Sequence, residues 1–290
     1  MDILLVGNES DLATIPEGYD VKTRFISPVE DHRRDSVLPY FSQVLDTVPA
    51  ESDYDTIVYL NADIVLPRDF VDRLQLSEVH RECGRGFLIT GRRIEMQEGV
   101  SFARGSDFYP FLSENMNSWN VGRFDHMDYF VFKRGIFSEL PPLIVGRGAY
   151  DNALVAYCLR GRVPVIDASE GLPVIHPFHG HGHQKGGKKE VYDGNDAMLN
   201  RKRHDIIHSP PTLFEAGLIL GEKGLRRNRW RGGILRRWEA ALRYVYKLKL
   251  LSYALRVPAR LLDLEMSAEE KEQRRITGKY YEMLQRISAG

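Results

Sequence analysis

The sequence predicts an α/β fold, a mixed, mostly parallel sheet flanked by helices, with a C-terminal helical extension. Three observations carry this. With 43% hydrophobic residues over 290 positions, the chain can bury a full core. Short β-rich runs alternate with helical patterns through the first two-thirds, the rhythm of a layered sheet with crossover helices. From about Pro211 the pattern becomes helical and basic.

Strands are expected at 3–6, 21–26, 56–60, 87–90, 129–132 and 163–166, each rich in Val, Ile, Tyr or Phe. Between them helical spacing covers 36–48, 70–83 and 151–159. Gly, Pro and His dominate 171–187, which suits an irregular loop over a sheet edge. There is no internal repeat. The expected division is a catalytic-type domain over 1–210 and a basic helical extension over 211–290. In open α/β sheets ligands gather at the C-terminal ends of the strands, so the residues just past those ends are the ones to read for chemistry.

Charge sharpens the picture. Net charge is zero, with 40 basic and 40 acidic residues, so the molecule as a whole offers no electrostatic argument for a nucleic-acid partner. Its distribution is uneven: from Glu222 to Arg260 twelve Lys or Arg stand against Glu222 and Glu239. Two cysteines, Cys83 and Cys158, lack metal-type spacing, which fits a reducing cytoplasm. The opening MDILLVGNES has no basic flank and no cleavage-type small residues, so it reads as a first strand rather than a signal peptide. No apolar run approaches the roughly 18 residues of a spanning helix.

Three segments could carry chemistry. In YDTIVYLNADIVLPRDF (54–70) a strand ends in Asn61-Ala62-Asp63. A carboxylate there could hold a divalent cation against a diphosphate, or both polar residues could simply shape a turn. In LPPLIVGRGAYDNALVAYCLR (140–160), Gly146-Arg147-Gly148 precede a helix opened by Asp151. Asp151 suits either an N-cap or a general base; Arg147 offers a planar fork for a carboxylate or phosphate, or an internal ion pair. Four histidines, His176, His179, His181 and His183, fall within eight residues and are followed by Lys185. Histidine is the commonest metal ligand, while a solvated polar loop is the plain alternative. A separate zinc site lacks thiolate partners and a zincin-type spacing.

Read together, VYLNADIVL, FLITGRR, DYFVFKRGIF, LIVGRGAYDNALV and PVIDASEGLPVIHPFHGHGH resemble a group of bacterial and plant proteins related to GT-A glycosyltransferases. The similarity spans about residues 25–205, and the succession of segments is more specific than any single motif. The resemblance implies a GT-A, Rossmann-like sheet. It places Asn61-Ala62-Asp63 at the Asp-x-Asp metal motif, Arg92, Arg93 and Asp128 beside internal strands, and Asp151 at the catalytic carboxylate. The His loop then corresponds to the C-terminal metal or diphosphate ligand. The departure is Asn61, a neutral oxygen donor in place of the first Asp, which rests the metal on Asp63, a histidine and the donor phosphates, with a metal-independent variant as the alternative.

These readings imply a transferase that moves a sugar from a nucleoside-diphosphate donor to a hydroxyl of a glycan or lipid-linked acceptor, in cell-surface polysaccharide synthesis. Mn²⁺ or Mg²⁺ would be the cofactor, and inversion follows if Asp151 is the base. The expected donor and acceptor contacts are Asn61, Arg92, Arg93, Asp128, Arg147 and Lys185, and the expected metal ligands Asp63, His176, His179 and His181. One rival is a sugar-phosphate nucleotidyltransferase, although 1–11 holds only Gly7 where a Gly-rich loop would be required. The other is a sugar-binding or membrane-scaffold protein of the same fold.

In the tail, apolar Ile234, Leu235, Trp238, Ala241, Leu242 and Val245 share a helical stripe, with Arg236, Arg237, Arg243 and Lys247 off it. Such a helix either lies on an anionic membrane surface, giving a peripheral protein at the cytoplasmic face, or packs back with its charges in water; nucleic-acid binding is a third reading that no other feature supports.

Overall fold

A computed structural model describes residues 2–7, 12, 21–27, 30, 31, 33–84, 86–179, 187–207, 210–229, 237–254 and 264–289. Its strands are β1 (Leu4–Gly7), β2 (Lys22–Phe25), β3 (Thr56–Leu60), β4 (Leu88–Thr90), β5 (Ile94–Met96), β6 (Trp119–Val121), β7 (Tyr129–Lys133), β8 (Val165–Asp167), β9 (Ile175–His176), β10 (Leu218–Gly221) and β11 (Gly224–Arg227). The helices used below are α1 (Phe41–Asp46), α2 (Phe70–Arg73), α3 (Leu76–Cys83), α4 (Phe108–Glu114), α5 (Tyr150–Arg160), α6 (Gly187–Asp193), α7 (Asn195–Arg203) and α8 (Leu264–Ala289). The chain divides into two compact units. One comprises Met1–Thr56, Arg134–Leu154 and His181–Pro210; the other comprises Ile57–Lys133, Val155–Gly180 and Pro211–Gly290.

In the first unit β1 and β2 pair in parallel. The helix expected over 36–48 contracts to α1, because Pro39 biases the residue before it away from helical backbone. The Tyr40 N–H donates to the Gln43 side chain at 2.8 Å and closes the helix start. Phe41 is buried, edge-on to Phe137. Asn200 on α7 clamps Ile144 from both sides, accepting from its N–H at 2.9 Å and donating to its carbonyl at 3.0 Å. Buried backbone at the isolated Tyr40–Ile144 bridge is thereby satisfied outside any named sheet.

The second unit holds a six-stranded sheet of order β11-β10-β8-β4-β7-β3. β10–β8 and β8–β4 are parallel; β10–β11 and β4–β7 are antiparallel. The sheet is therefore mixed, and a mostly parallel pattern is not what these registers show. Its middle strands are apolar on both faces, with Leu88, Ile89, Tyr129, Phe130, Val131 and Ile166 fully buried, as a sheet covered on both sides requires. The helix expected over 70–83 breaks at Gln75, which takes a left-handed φ of 48° and donates its side chain to the Gly221 carbonyl at 3.0 Å.

Residues 211–290 depart most from expectation. Instead of helix throughout, they contain the hairpin β10–β11, turned over Glu222 and Lys223, and add it to the edge of the main sheet. A three-stranded sheet, β6-β5-β9, is covered by α8. Ile276, Tyr280, Met283 and Leu284, spaced for one helical face, pack with Ile94, Met96, Trp119, Val121 and Ile175. Glu170 ties α8 to the main body through Arg275 at 2.7 Å and Lys279 at 3.3 Å. The C-terminal stretch thus packs within the unit that holds the main sheet. No helix among the described residues is long and apolar enough to cross a membrane.

The basic segment before α8 is helical at 237–245, the last five residues as a π turn. Its facing departs from the expected stripe at two residues, while Ala241, Leu242 and Val245 are half-buried. Arg243 is buried with Ala240 and Tyr244, whereas Trp238, a stripe residue, is 60% exposed. The Arg243 guanidinium lies 5.4 Å from the Tyr244 ring and 5.7 Å from that of Tyr253, so aromatic faces compensate its burial. Ile234, Leu235 and Arg236 lie outside the described residues.

Candidate functional site

The second unit brings Asp63 together with His176 and His179. β3 ends at Leu60, and the Ile64 N–H returns to the Asn61 carbonyl at 3.2 Å. Ile64 is buried and pins this turn, which leaves Asp63 facing outward. Val65 then pairs with Ile175 through two backbone hydrogen bonds, 2.9 and 3.0 Å. That bridge sets His176, the last residue of β9, beside Asp63, and His179 returns to the same carboxylate after one further turn of chain. His179 Nε2 lies 2.7 Å and His176 Nε2 3.4 Å from the same oxygen, Asp63 Oδ2. The two imidazole rings are 4.9 Å apart.

Burial raises the Asp63 carboxyl, but the hydrogen bonds and charge of His176 and His179 outweigh it and hold the group well below the usual carboxylate range. Among the described residues Asp63 Oδ1 is buried and finds no hydrogen-bond partner. A buried carboxylate oxygen without a partner is costly, and a cation is the natural group to satisfy it. One ligand atom from each of the three residues falls within 4.8 Å of the others. Among the described residues this is the one His, Cys, Asp and Glu grouping able to hold a metal ion. Two imidazoles and one carboxylate fit a first-row divalent ion and leave coordination positions for phosphate oxygens.

Asn61 points the other way along the strand tip. Its side-chain amide donates to Asp128 Oδ1 at 2.8 Å, and its backbone N–H donates to the Asp128 carbonyl at 3.1 Å. The other Asp128 oxygen is held by Arg93, which also reaches Glu95 at 3.0 Å; Glu95 in turn meets His126 at 3.0 Å. Burial works against the Arg93 charge, but Asp128 and Glu95 more than offset it and push the group's pKa above its ordinary value. Arg93 and Asp128 therefore serve each other. The expected donor contacts Arg93 and Asp128 form a framework under the strand tip. Glu95 and His126 belong to that framework and were not foreseen; the one trace in sequence is a Glu between Ile94 and Met96, both buried. Arg92 is fully buried, its guanidinium 4.5 Å from the centre of the Phe124 ring, and its N–H donates to Ser169 Oγ at 2.8 Å. Its side chain is therefore internal to this unit.

Arg147 and Asp151 belong to the first unit. Gly146 adopts a left-handed φ of 69°, and a Cβ on Gly148 would lie 2.9 Å from the Tyr192 carbonyl oxygen. Each glycine of Gly146-Arg147-Gly148 thus has its own backbone reason. The Gly148 N–H donates to the Val191 carbonyl at 2.8 Å, fastening this turn to α6. Burial lowers the Arg147 pKa, with Asp196 and Glu190 opposing. Asp151, half-buried at the start of α5, accepts from the Asn152 N–H at 2.8 Å. The helix begins one residue earlier, at Tyr150, so Asp151 stands in its first turn and not at the N-cap. His181, His183 and Lys185 lie outside the described residues.

Compared with protein-family models, with curated proteins and with solved structures, the chain matches none of them.

Proposed function

We propose that Asp63, His176 and His179 hold a divalent cation that serves glycosyl transfer from a nucleoside-diphosphate sugar to a hydroxyl of a glycan or lipid-linked acceptor. The observation that carries this reading is the convergence of two imidazole nitrogens on Asp63 Oδ2 while Asp63 Oδ1, among the described residues, is buried without a partner. Such a donor set favours Mn²⁺ over Mg²⁺, which prefers an all-oxygen shell. A cation bound here would offset charge on a departing diphosphate.

The chain's own residues divide the remaining work. Asp63 supplies the negative charge and the histidines orient it. The Asn61–Asp128–Arg93–Glu95 framework fixes the turn that carries Asp63. Asp151 is the group to which the resemblance assigns the acceptor proton, and inversion follows from that role.

Calorimetry with a nucleoside diphosphate, run with Mn²⁺ and again with chelator, tests the reading. Binding should require Mn²⁺ and vanish in Asp63→Ala. Release of sugar from a panel of nucleoside-diphosphate sugars then separates an enzyme from a binding module. Diphosphate affinity unchanged by chelator and by Asp63→Ala would overturn the proposal.

A further inference from the structure

We infer that residues 246–251 form a lipid-inserting tip that seats the second unit on an anionic membrane surface. The inference stands apart from the reaction proposed above and uses none of its residues. It also moves the membrane contact away from the helical stripe at 234–245.

The segment Tyr246-Lys247-Leu248-Lys249-Leu250-Leu251 is exposed at every position. Leu250 is 87% exposed, Tyr246 60%, Leu251 51% and Leu248 50%. Single exposed apolar residues are ordinary, but a run of them is not. Beneath the tip the polarity is reversed, since Arg243 and Ser252 are buried. The chain therefore places a guanidinium inside and three leucines outside within ten residues.

The tip is preformed. The Tyr246 N–H closes on the Ala241 carbonyl at 3.0 Å and the Leu248 N–H on the Leu242 carbonyl at 2.7 Å. Lys247 takes a left-handed φ of 57° between them. On the far side the Ser252 N–H donates to the Leu248 carbonyl at 3.0 Å and its hydroxyl to the Lys249 carbonyl at 2.7 Å. A fixed tip loses little conformational freedom on docking.

Charge selects the occupant. Lys247 and Lys249 alternate with the leucines, and no acidic residue occurs between Glu239, which is buried, and Asp263. Arg237 fastens the helix start to β11's end, donating to the Asn228 carbonyl at 2.7 Å, so exposed Arg227 and Arg229 flank that junction. A second copy seated on the same tip would oppose lysine to lysine, and a nucleic acid would leave the leucines in water. Leucines below the headgroups with lysines reaching up to phosphates satisfy both sets of atoms, and exposed Trp238 and Tyr246 suit the headgroup layer.

The test is vesicle flotation of the full chain with phosphatidylcholine alone and with added phosphatidylglycerol. Binding is expected only to the anionic vesicles, with a blue shift of tryptophan emission. Leu250→Ser should weaken partitioning about tenfold, and Lys247→Glu with Lys249→Glu should abolish it, each lysine contributing about fivefold. Leu250 is exposed, so the melting temperature of Leu250→Ser should not move, and circular dichroism measured alongside checks folding of every variant. Undiminished flotation of Leu250→Ser would overturn insertion. So would a dimer by light scattering that Leu250→Ser dissociates without any vesicle binding.

Discussion

Asn61 and Asp128 are joined twice, backbone N–H to carbonyl at 3.1 Å and side-chain amide to carboxylate at 2.8 Å. This pairing gives a physical reason for a neutral residue at the first position of the strand-tip motif. An aspartate there would face the Asp128 carboxylate, which already has Arg93 as its cation. Asn61→Asp, although it restores an Asp-x-Asp pattern, should therefore destabilise the protein by about 1–3 kcal/mol at neutral pH. It should not tighten Mn²⁺ binding. Thermal melts paired with calorimetry would show both.

The donor set carries its own prediction. Mn²⁺ should bind more tightly than Mg²⁺, and Co²⁺ and Zn²⁺ should compete with it, because imidazole suits those ions. Loss of His179, a proposed ligand, should weaken binding by more than the roughly 10–100-fold typical of outer-shell partners. Competition calorimetry on His179→Ala and His176→Ala gives the ranking. An all-oxygen preference would argue that the histidines do not ligate.

For Asp151 two roles predict different results. The observed bond from the Asn152 N–H needs only an acceptor oxygen, which an amide keeps, whereas a base needs proton affinity, which it lacks. Asp151→Asn should melt near wild type while turnover falls by roughly 10² to 10⁴. Retained turnover would assign the acceptor proton elsewhere.

Acid should loosen the framework under the strand tip. The hydrogen bond from His126, then Arg93, hold the Glu95 carboxyl at about 2 against an ordinary 4.5, although burial opposes them. Between those values the unfolded chain binds more protons than the folded one, so stability falls as pH drops from about 4.5 toward 2. Glu170 adds in the same direction. Burial raises its carboxyl, but Arg275, Arg226 and Lys279 outweigh this and lower it. Glu95→Gln should flatten part of that acid limb in a melting-temperature profile.

The buried face of α8 makes its removal structural. A chain ending before residue 264 would strip Ile276, Tyr280, Met283 and Leu284 from the apolar cluster they share with β5, β6 and β9. Each such side chain contributes about 1.5–3 kcal/mol when buried, so the shortened chain should unfold or aggregate by circular dichroism and light scattering. Removal of the C-terminal stretch is for the same reason no clean test of membrane contact; substitutions at exposed Leu250 are.

How far sequence could be read followed the length and purity of each signal. β3 appears at 56–60 as expected and α5 within one residue at either end, because long apolar or periodic runs leave few alternatives. β5, β6 and β9 have only two or three residues each, too few for alternation to register. β10 and β11 were hidden by Arg226 and Arg227, whose charge reads as tail although the turn at Glu222-Lys223 closes a hairpin. Asp63 and His179, 116 residues apart, were brought into one reading only by the resemblance. Nothing local announced that Asn61 would turn to Asp128, or that Arg243 would go inside.

The interleaving of the second unit bears on how the protein can be made. Its main sheet seats β10 beside β8 and β8 beside β4, so neighbours in space come from well-separated stretches of chain. During synthesis β8 leaves the ribosome some fifty residues before its partner β10, with Val165 and Ile166 on an unpaired edge. The small sheet waits longer still for α8. Pairings of such long range form slowly and leave apolar edges open meanwhile. Nascent chains should therefore depend on chaperone holding until the last helix emerges, and yield in a cell-free translation should respond to added chaperone more than refolding of the finished chain does.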